Sequence, residues 1–145
     1  MGIRTIIFDL LLFAACGYAL WRGRADARIV AIAFVVGNFA TYALRTEVGG
    51  GYSSLETGIF IVDIACLAAF TYAALISDRF WPLWVSGLQL TTSFGHIMKA
   101  IDSDLLPFAY AAALRFWSYP ILIVLAAGVW RSQRRLSREA VPARA

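Results

Sequence analysis

A chain of 145 residues that is 61% hydrophobic, with a mean hydropathy of +0.71, has more apolar side chains than a soluble domain of its size can hide. Soluble domains average roughly 45–50% apolar residues, and short chains leave much of their length at the boundary, so lipid is the solvent that fits and one domain is expected. The net charge of +4 comes from arginines gathered at a few chain positions, which excludes a nucleic-acid-reading face; Cys16 and Cys66 both fall inside apolar runs, which excludes a disulfide framework or a cysteine metal site.

A membrane-spanning helix needs about 20 mostly apolar residues. The first is predicted from Ile3 to Trp21. Arg4 followed by an apolar run and Phe13-Ala14-Ala15-Cys16 has the outline of a lipoprotein signal, but Asp9 interrupts the apolar region, so the segment is expected to stay as a first membrane helix. An arginine-rich linker over 22–28 leads to a second helix from Ile29 to Leu44, the shortest of the set. Gly49-Gly50-Gly51 marks a turn. The third helix is predicted from Leu55 to Ile76 and the fourth from Phe80 to Ala100. The fifth runs from Leu105 to Trp130, with a kink expected one turn before Pro120, which has no amide to donate.

The expected fold is therefore all-α, an integral membrane bundle of five transmembrane helices over residues 1–131 followed by a basic tail over 132–145. Arg22, Arg24, Arg28, Arg79, Arg131, Arg134, Arg135, Arg138 and Arg144 all fall on one side of such a bundle. Basic residues mark the cytoplasmic face, so the N-terminus is expected outside and the C-terminus inside. Trp21, Trp81, Trp84 and Trp130 come out at the same face, where indole rings prefer to sit. The alanine- and arginine-rich composition, with Lys99 the sole lysine, points to a high-GC bacterium and hence to an inner membrane.

Ionisable groups at bilayer depth are costly and usually face the bundle interior. Counted from the outer end of each span at 1.5 Å per residue, Asp9 lies roughly 9 Å in, Asn38 roughly 10 Å, Asp63 roughly 12 Å, His96 roughly 6 Å and Arg115 roughly 15 Å. At about 100° per residue each helix has one polar stripe. These stripes are Thr5 and Asp9; Asn38, Thr41, Tyr42 and Arg45; Glu56 and Asp63; Gln89, Thr92, His96 and Lys99; and Asp104, Phe108, Arg115, Ser118 and Tyr119. The stripes share a depth band, which predicts a polar pocket opening outward and bounded by Asp9, Asn38, Asp63, Gln89, Thr92, His96, Arg115 and Tyr119. Small residues at spacing four, Ala65, Ala69 and Ala73 on the third helix and Gly87, Thr91 and Gly95 on the fourth, permit close helix contacts and predict a central position for those two helices.

Asp63 and Arg115, the two deepest ionisable groups, fit either a proton or anion site or a buried ion pair that fixes packing. His96, the sole histidine, fits a proton shuttle or a hydrogen-bonded structural role; metal or haem sites want more ligands, so no metal or cofactor is expected. Asp9 is expected either to pair with Arg115 or Arg45 or to face an aqueous pocket. No P-loop, dinucleotide site or nucleophile elbow is present. The residues support a small transport or binding protein for a polar or anionic solute or for protons, expected to oligomerise. The competing reading is an accessory subunit of a larger membrane complex, with the polar residues as packing contacts. A membrane-embedded enzyme acting on lipid, using Asp9, Asp63 and His96 for acid–base chemistry, and a membrane-perturbing protein complete the range. The basic tail is suited to contact with anionic lipid.

Overall fold

The computed structural model describes the backbone of residues 3–47, 52–101 and 107–140, and the side chains of 3, 5–44, 57–98, 101 and 116–139. These form five helices and, among the described residues, no strand: α1 (Ile3–Arg22), α2 (Ala25–Glu47), α3 (Tyr52–Ile76), α4 (Trp81–Ile101) and α5 (Pro107–Ala140). Three of them carry a stretch long and apolar enough to cross a bilayer, within Thr5–Arg22, Ala25–Leu44 and Thr57–Ile76. In α4 the close succession of Gln89, Thr91, Thr92, Ser93 and His96 dilutes the apolar content.

Each helix packs on the next in chain order and α5 closes back on α1, so the five form a ring. The short connections α1–α2 and α3–α4 lie at one end, with the C-terminal part of α5; this is the arginine end. At the first of them Gly23 donates its amide to the Ala19 carbonyl at 2.8 Å, and a Cβ there would stand 2.7 Å from Ala27 Cβ. Glycine is what lets the chain reverse within two residues at that point.

Two helices differ from expectation in length. The second was predicted to begin at Ile29, but α2 starts at Ala25. Asp26, assigned by the sequence to a charged linker, is instead buried in the first turn and accepts a hydrogen bond from the Ala27 amide at 2.9 Å. A carboxylate at that position offsets unpaired amides and the positive end of the helix dipole. The fifth helix does not end near Trp130: α5 passes through Pro120 and continues to Ala140 over 34 residues, about 51 Å at 1.5 Å per residue.

The central position falls to α2, which touches α4 and α5 across the ring as well as its two neighbours. The sequence expectation had placed α3 and α4 there. The reason is side-chain size on the inward face of α2, where Ala27, Val30, Ala31 and Gly37 lie buried. A Cβ at Gly37 would stand 2.5 Å from Cys66 Sγ, and the Cys66 thiol donates to the Ala33 carbonyl at 3.5 Å. The small residues predicted to do this on α3 and α4 divide: Ala73 is buried, whereas Ala65, Gly87 and Thr91 are exposed.

The dry core occupies the arginine end. It comprises Leu12, Ala15, Cys16 and Ala19 of α1; Ala27, Val30 and Ala31 of α2; Phe70 and Ala73 of α3; Val85 of α4; and Ile121, Leu122, Leu125 and Val129 of α5. Phe34 and Phe70 stack across α2 and α3 with ring centroids 6.1 Å apart. The other side of many helices presents exposed Leu10, Phe13, Val36, Phe39, Ile61, Leu75, Leu90 and Phe94. Large apolar side chains outside and a packed interior are what a bundle in lipid requires.

Candidate functional site

The inward stripe of each helix is dry at the arginine end and becomes polar as it is followed toward the opposite end. On α1 the buried Leu12, Cys16 and Ala19 lead back to half-buried Asp9; on α2 Val30 and Gly37 lead to half-buried Asn38; on α3 Ala73 and Phe70 lead to Asp63. On α4 Val85 leads to Gln89, Thr92, Ser93 and His96, and on α5 Leu125 and Leu122 lead to Tyr119. Positions three, four or seven apart share a helix face, so the polar groups stand on the faces that the core has already turned inward.

Asp63 and His96 are joined directly. His96 Nε2 donates to Asp63 Oδ2 at 2.8 Å, with 8% of the histidine side chain and 20% of the aspartate side chain exposed. Gln89 Nε2 reaches the same residue, donating to Asp63 Oδ1 at 3.2 Å and to the Asp63 carbonyl at 3.3 Å. Gln89 and His96 are seven apart on α4, two turns on one face, and they grip the carboxylate from both oxygens. Phe60, one turn from Asp63, lies with its ring centroid 5.9 Å from the imidazole. A carboxylate with two donors, an imidazole and an aromatic wall is a rigid arrangement, since each polar group limits the orientations of the others.

The remaining predicted residues divide. Thr92 is buried, but its hydroxyl donates to the Leu88 carbonyl of its own helix at 3.2 Å. Tyr119 sets its ring edge-on to Phe8 of α1 at 5.3 Å, which brings α5 against the turn that carries Asp9. Asp9 and Asn38 are half-buried on inward stripes, and neither has a hydrogen bond or ion pair among the described residues. Arg115 belongs to α5; its side chain, like those of Arg45, Glu56 and Lys99, lies outside the described residues, as does Asp104. The proposed pairing of Asp9 with Arg45 or Arg115 falls there too.

Two features were missed by reading the sequence. Ser93 is 1% exposed and its hydroxyl has no partner, although it lies between Gln89 and His96 on the same side of α4. Its spacing was the available signal, but an isolated serine in an apolar helix also reads as a small filler. The second is a polar network at the arginine end. The Ser77 hydroxyl donates to Asp26 Oδ2 at 2.7 Å and accepts from the Arg79 amide at 3.2 Å. The Arg79 guanidinium donates to the Ser132 hydroxyl, which donates to the Gly128 carbonyl at 2.8 Å. Three segments distant in sequence, the start of α2, the α3–α4 connection and α5, meet there.

An apolar groove of about 580 Å³ runs between α2 and α3, lined by Ala40, Ala43, Leu44, Gly58, Ile61 and Val62. It contains none of the predicted polar residues. No group of three or more His, Cys, Asp or Glu side chains that could hold a metal comes together among the described residues. No family model matches the chain, and neither a curated protein nor a solved structure matches it.

Proposed function

We propose that the chain crosses the bilayer five times, N-terminus outside and C-terminus in the cytoplasm of a bacterial inner membrane, and that it binds a small anionic solute together with a proton in the polar layer. The observation that carries this reading is the Asp63–His96–Gln89 cluster on inward helix faces. Asp9, Asn38 and Ser93 lie on the same faces without protein partners among the described residues. Polar groups at bilayer depth are expensive to leave unsatisfied, so water or a solute is the natural partner for these three.

The chemistry follows from proton counting. An aspartate and a histidine holding one proton between them are neutral overall, whether as carboxylic acid and imidazole or as carboxylate and imidazolium. A second proton brings the pair to a charge of +1. In a medium of low dielectric that charge is costly alone, and an anion entering beside it offsets the cost. Asn38, Ser93 and Tyr119 would donate hydrogen bonds to the anion, and Arg115 would add a fixed positive charge. Gln89 holds the carboxylate in position throughout.

The purified protein in mild detergent should take up protons from weakly buffered solution when chloride is added. Asp63→Asn and His96→Gln should bind the anion with at least tenfold weaker affinity and without proton uptake, while keeping the wild-type helical content. Anion binding by the wild-type protein with no proton uptake, or unchanged uptake in both variants, would sink the proposal.

A second reading, a subunit of a larger membrane complex, is favoured by the uncovered small residues of α4. Gly87 and Thr91 are exposed, and a Cβ at Gly87 would meet nothing within 4 Å. Small residues on a lipid-facing helix surface allow another helix to approach closely.

A further inference from the structure

The helical extension of α5 points to a second site. We infer that Arg131, Arg134 and Arg135 form a binding site for the phosphate of an anionic phospholipid in the leaflet at the arginine end.

The four arginines Arg131, Arg134, Arg135 and Arg138 stand at positions i, i+3, i+4 and i+7 of α5, and all are exposed. That spacing makes one ridge along the helix. The opposite face of the same turns is tied down. Ser132 is buried and takes the Arg79 guanidinium, and the Gln133 side-chain amide donates to the Arg22 carbonyl. The extension is thus held against the α1–α2 connection with its charge facing away from the bundle.

The ridge carries four arginines and one exposed carboxylate, Glu139, one turn on from Arg135. Arg22, Arg24 and Arg28 are exposed at the same end, and none of these seven guanidinium groups makes an ion pair among the described residues. Asp26 is buried and already serves Ser77 and the Ala27 amide. Asp78 and Glu139 are the exposed carboxylates that remain in this region. Seven cations against two carboxylates leave a surface that attracts anions strongly.

Depth selects the kind of anion. Trp21, Phe80, Trp84 and Trp130 are exposed around this end, and tryptophan sits at the level of lipid headgroups. Arg22 lies over the Trp21 ring at 5.5 Å and Arg134 over the Trp130 ring at 4.1 Å. Arg131, Arg134 and Arg135 rise roughly 1.5 to 7.5 Å beyond Trp130 along the helix, within a headgroup zone about 5–7.5 Å thick. Arg138 rises roughly 12 Å and clears that zone. A guanidinium grips phosphate oxygens two at a time, and three in one patch suit a lipid phosphate. The inference rests on the five-span reading only for the depth of Trp130.

The test uses the full chain in an uncharged mild detergent, with thermal stability and retained lipid as readouts. Phosphatidylglycerol should raise the unfolding temperature and stay bound through washing, and phosphatidylcholine should do neither. Each arginine near an anionic surface is worth about fivefold in binding, so R131Q/R134Q/R135Q should bind phosphatidylglycerol roughly a hundredfold more weakly while unfolding at the wild-type temperature without lipid. R138Q should weaken binding less than R131Q, R134Q or R135Q and by no more than about fivefold, because its charge stands beyond the phosphate layer and acts on it only through solvent. If the triple variant unfolds early on its own, the single variants R131Q, R134Q and R135Q carry the comparison. Unchanged phosphatidylglycerol binding in these variants would overturn the inference. Equal protection by inorganic phosphate or pyrophosphate, or by an acidic peptide, would also overturn it in favour of a soluble anion or a protein partner. A reporter fused after Ala145 that proves extracytoplasmic would remove the five-span orientation without altering the lipid result.

Discussion

Asp63 shows how one carboxylate inside an apolar helical bundle is held. Two donors from one face of α4 reach its two oxygens, so its charge or proton is shared with His96 and steadied by Gln89. Hydrogen bonds between membrane helices are worth about 0.6 kcal/mol on average and up to about 1.7, so the cluster organises the site more than it stabilises the bundle. Apolar contacts decide stability at other single residues. A Cβ at Gly128 would stand 2.5 Å from Trp81 Cγ and Cδ2, so the indole lies flat against the α5 backbone. Overpacking typically costs about 1–3 kcal/mol, and Gly128→Ala should lower unfolding stability by that amount in a denaturant titration in detergent. A change below about 0.5 kcal/mol would mean that the ring shifts without cost. Heptad spacing made Asp63, Gln89 and His96 readable as inward-facing groups. Their direct contact was not readable, because it depends on the axial offset of α3 against α4.

The difference between expected and observed helices lies in how polar residues at helix ends are used. Asp26 was read as part of a charged linker, and the burial of its carboxylate beneath Ser77 lengthens α2 by four residues over the predicted start at Ile29. The same network ties the α3–α4 connection to α5 through Arg79 and Ser132. Asp26→Ala would strand the Ser77 hydroxyl and the first-turn amide of α2. A lost N-terminal cap costs about 0.5–2 kcal/mol and a stranded buried donor about 1–3. The substitution should therefore destabilise the bundle by about 2 kcal/mol and speed hydrogen exchange over residues 25–30 before the rest of α2. Uniform exchange along α2 in the variant would refute that role. Arg79 was legible only as a topology signal, since nothing in the sequence near it indicates that its guanidinium turns back to α5.

On the scale of the whole molecule, an apolar core fills the arginine half, closed at its end by the Asp26–Ser77–Arg79–Ser132 network, and the Asp63–His96–Gln89 cluster lies toward the other end. Such an arrangement closes one end of the ring by packing while leaving hydrogen-bonding groups in the other half. Away from the arginine end the exposed faces carry many large apolar side chains, and the uncovered Gly87 and Thr91 of α4 offer a surface for a second helix. If that surface joins copies of this chain, mild-detergent extraction should give a particle of at least twice 16.0 kDa plus detergent, and Gly87→Leu should return it to a single chain. A particle of one chain in the wild-type protein, or of unchanged mass in the variant, would remove the surface from consideration. Composition and periodicity alone determined that the described residues are helical and where the helices fall to within a few residues, except at the C-terminal end of α5, because these follow from local spacing and the burial of apolar faces. Only the tertiary structure decided that α2 is central, that Asp63 meets His96 and that Asp26, Ser77, Arg79 and Ser132 form a network. These depend on how closely each pair of helices approaches and at what offset, and small buried residues such as Gly37 set that approach against neighbours distant in the chain.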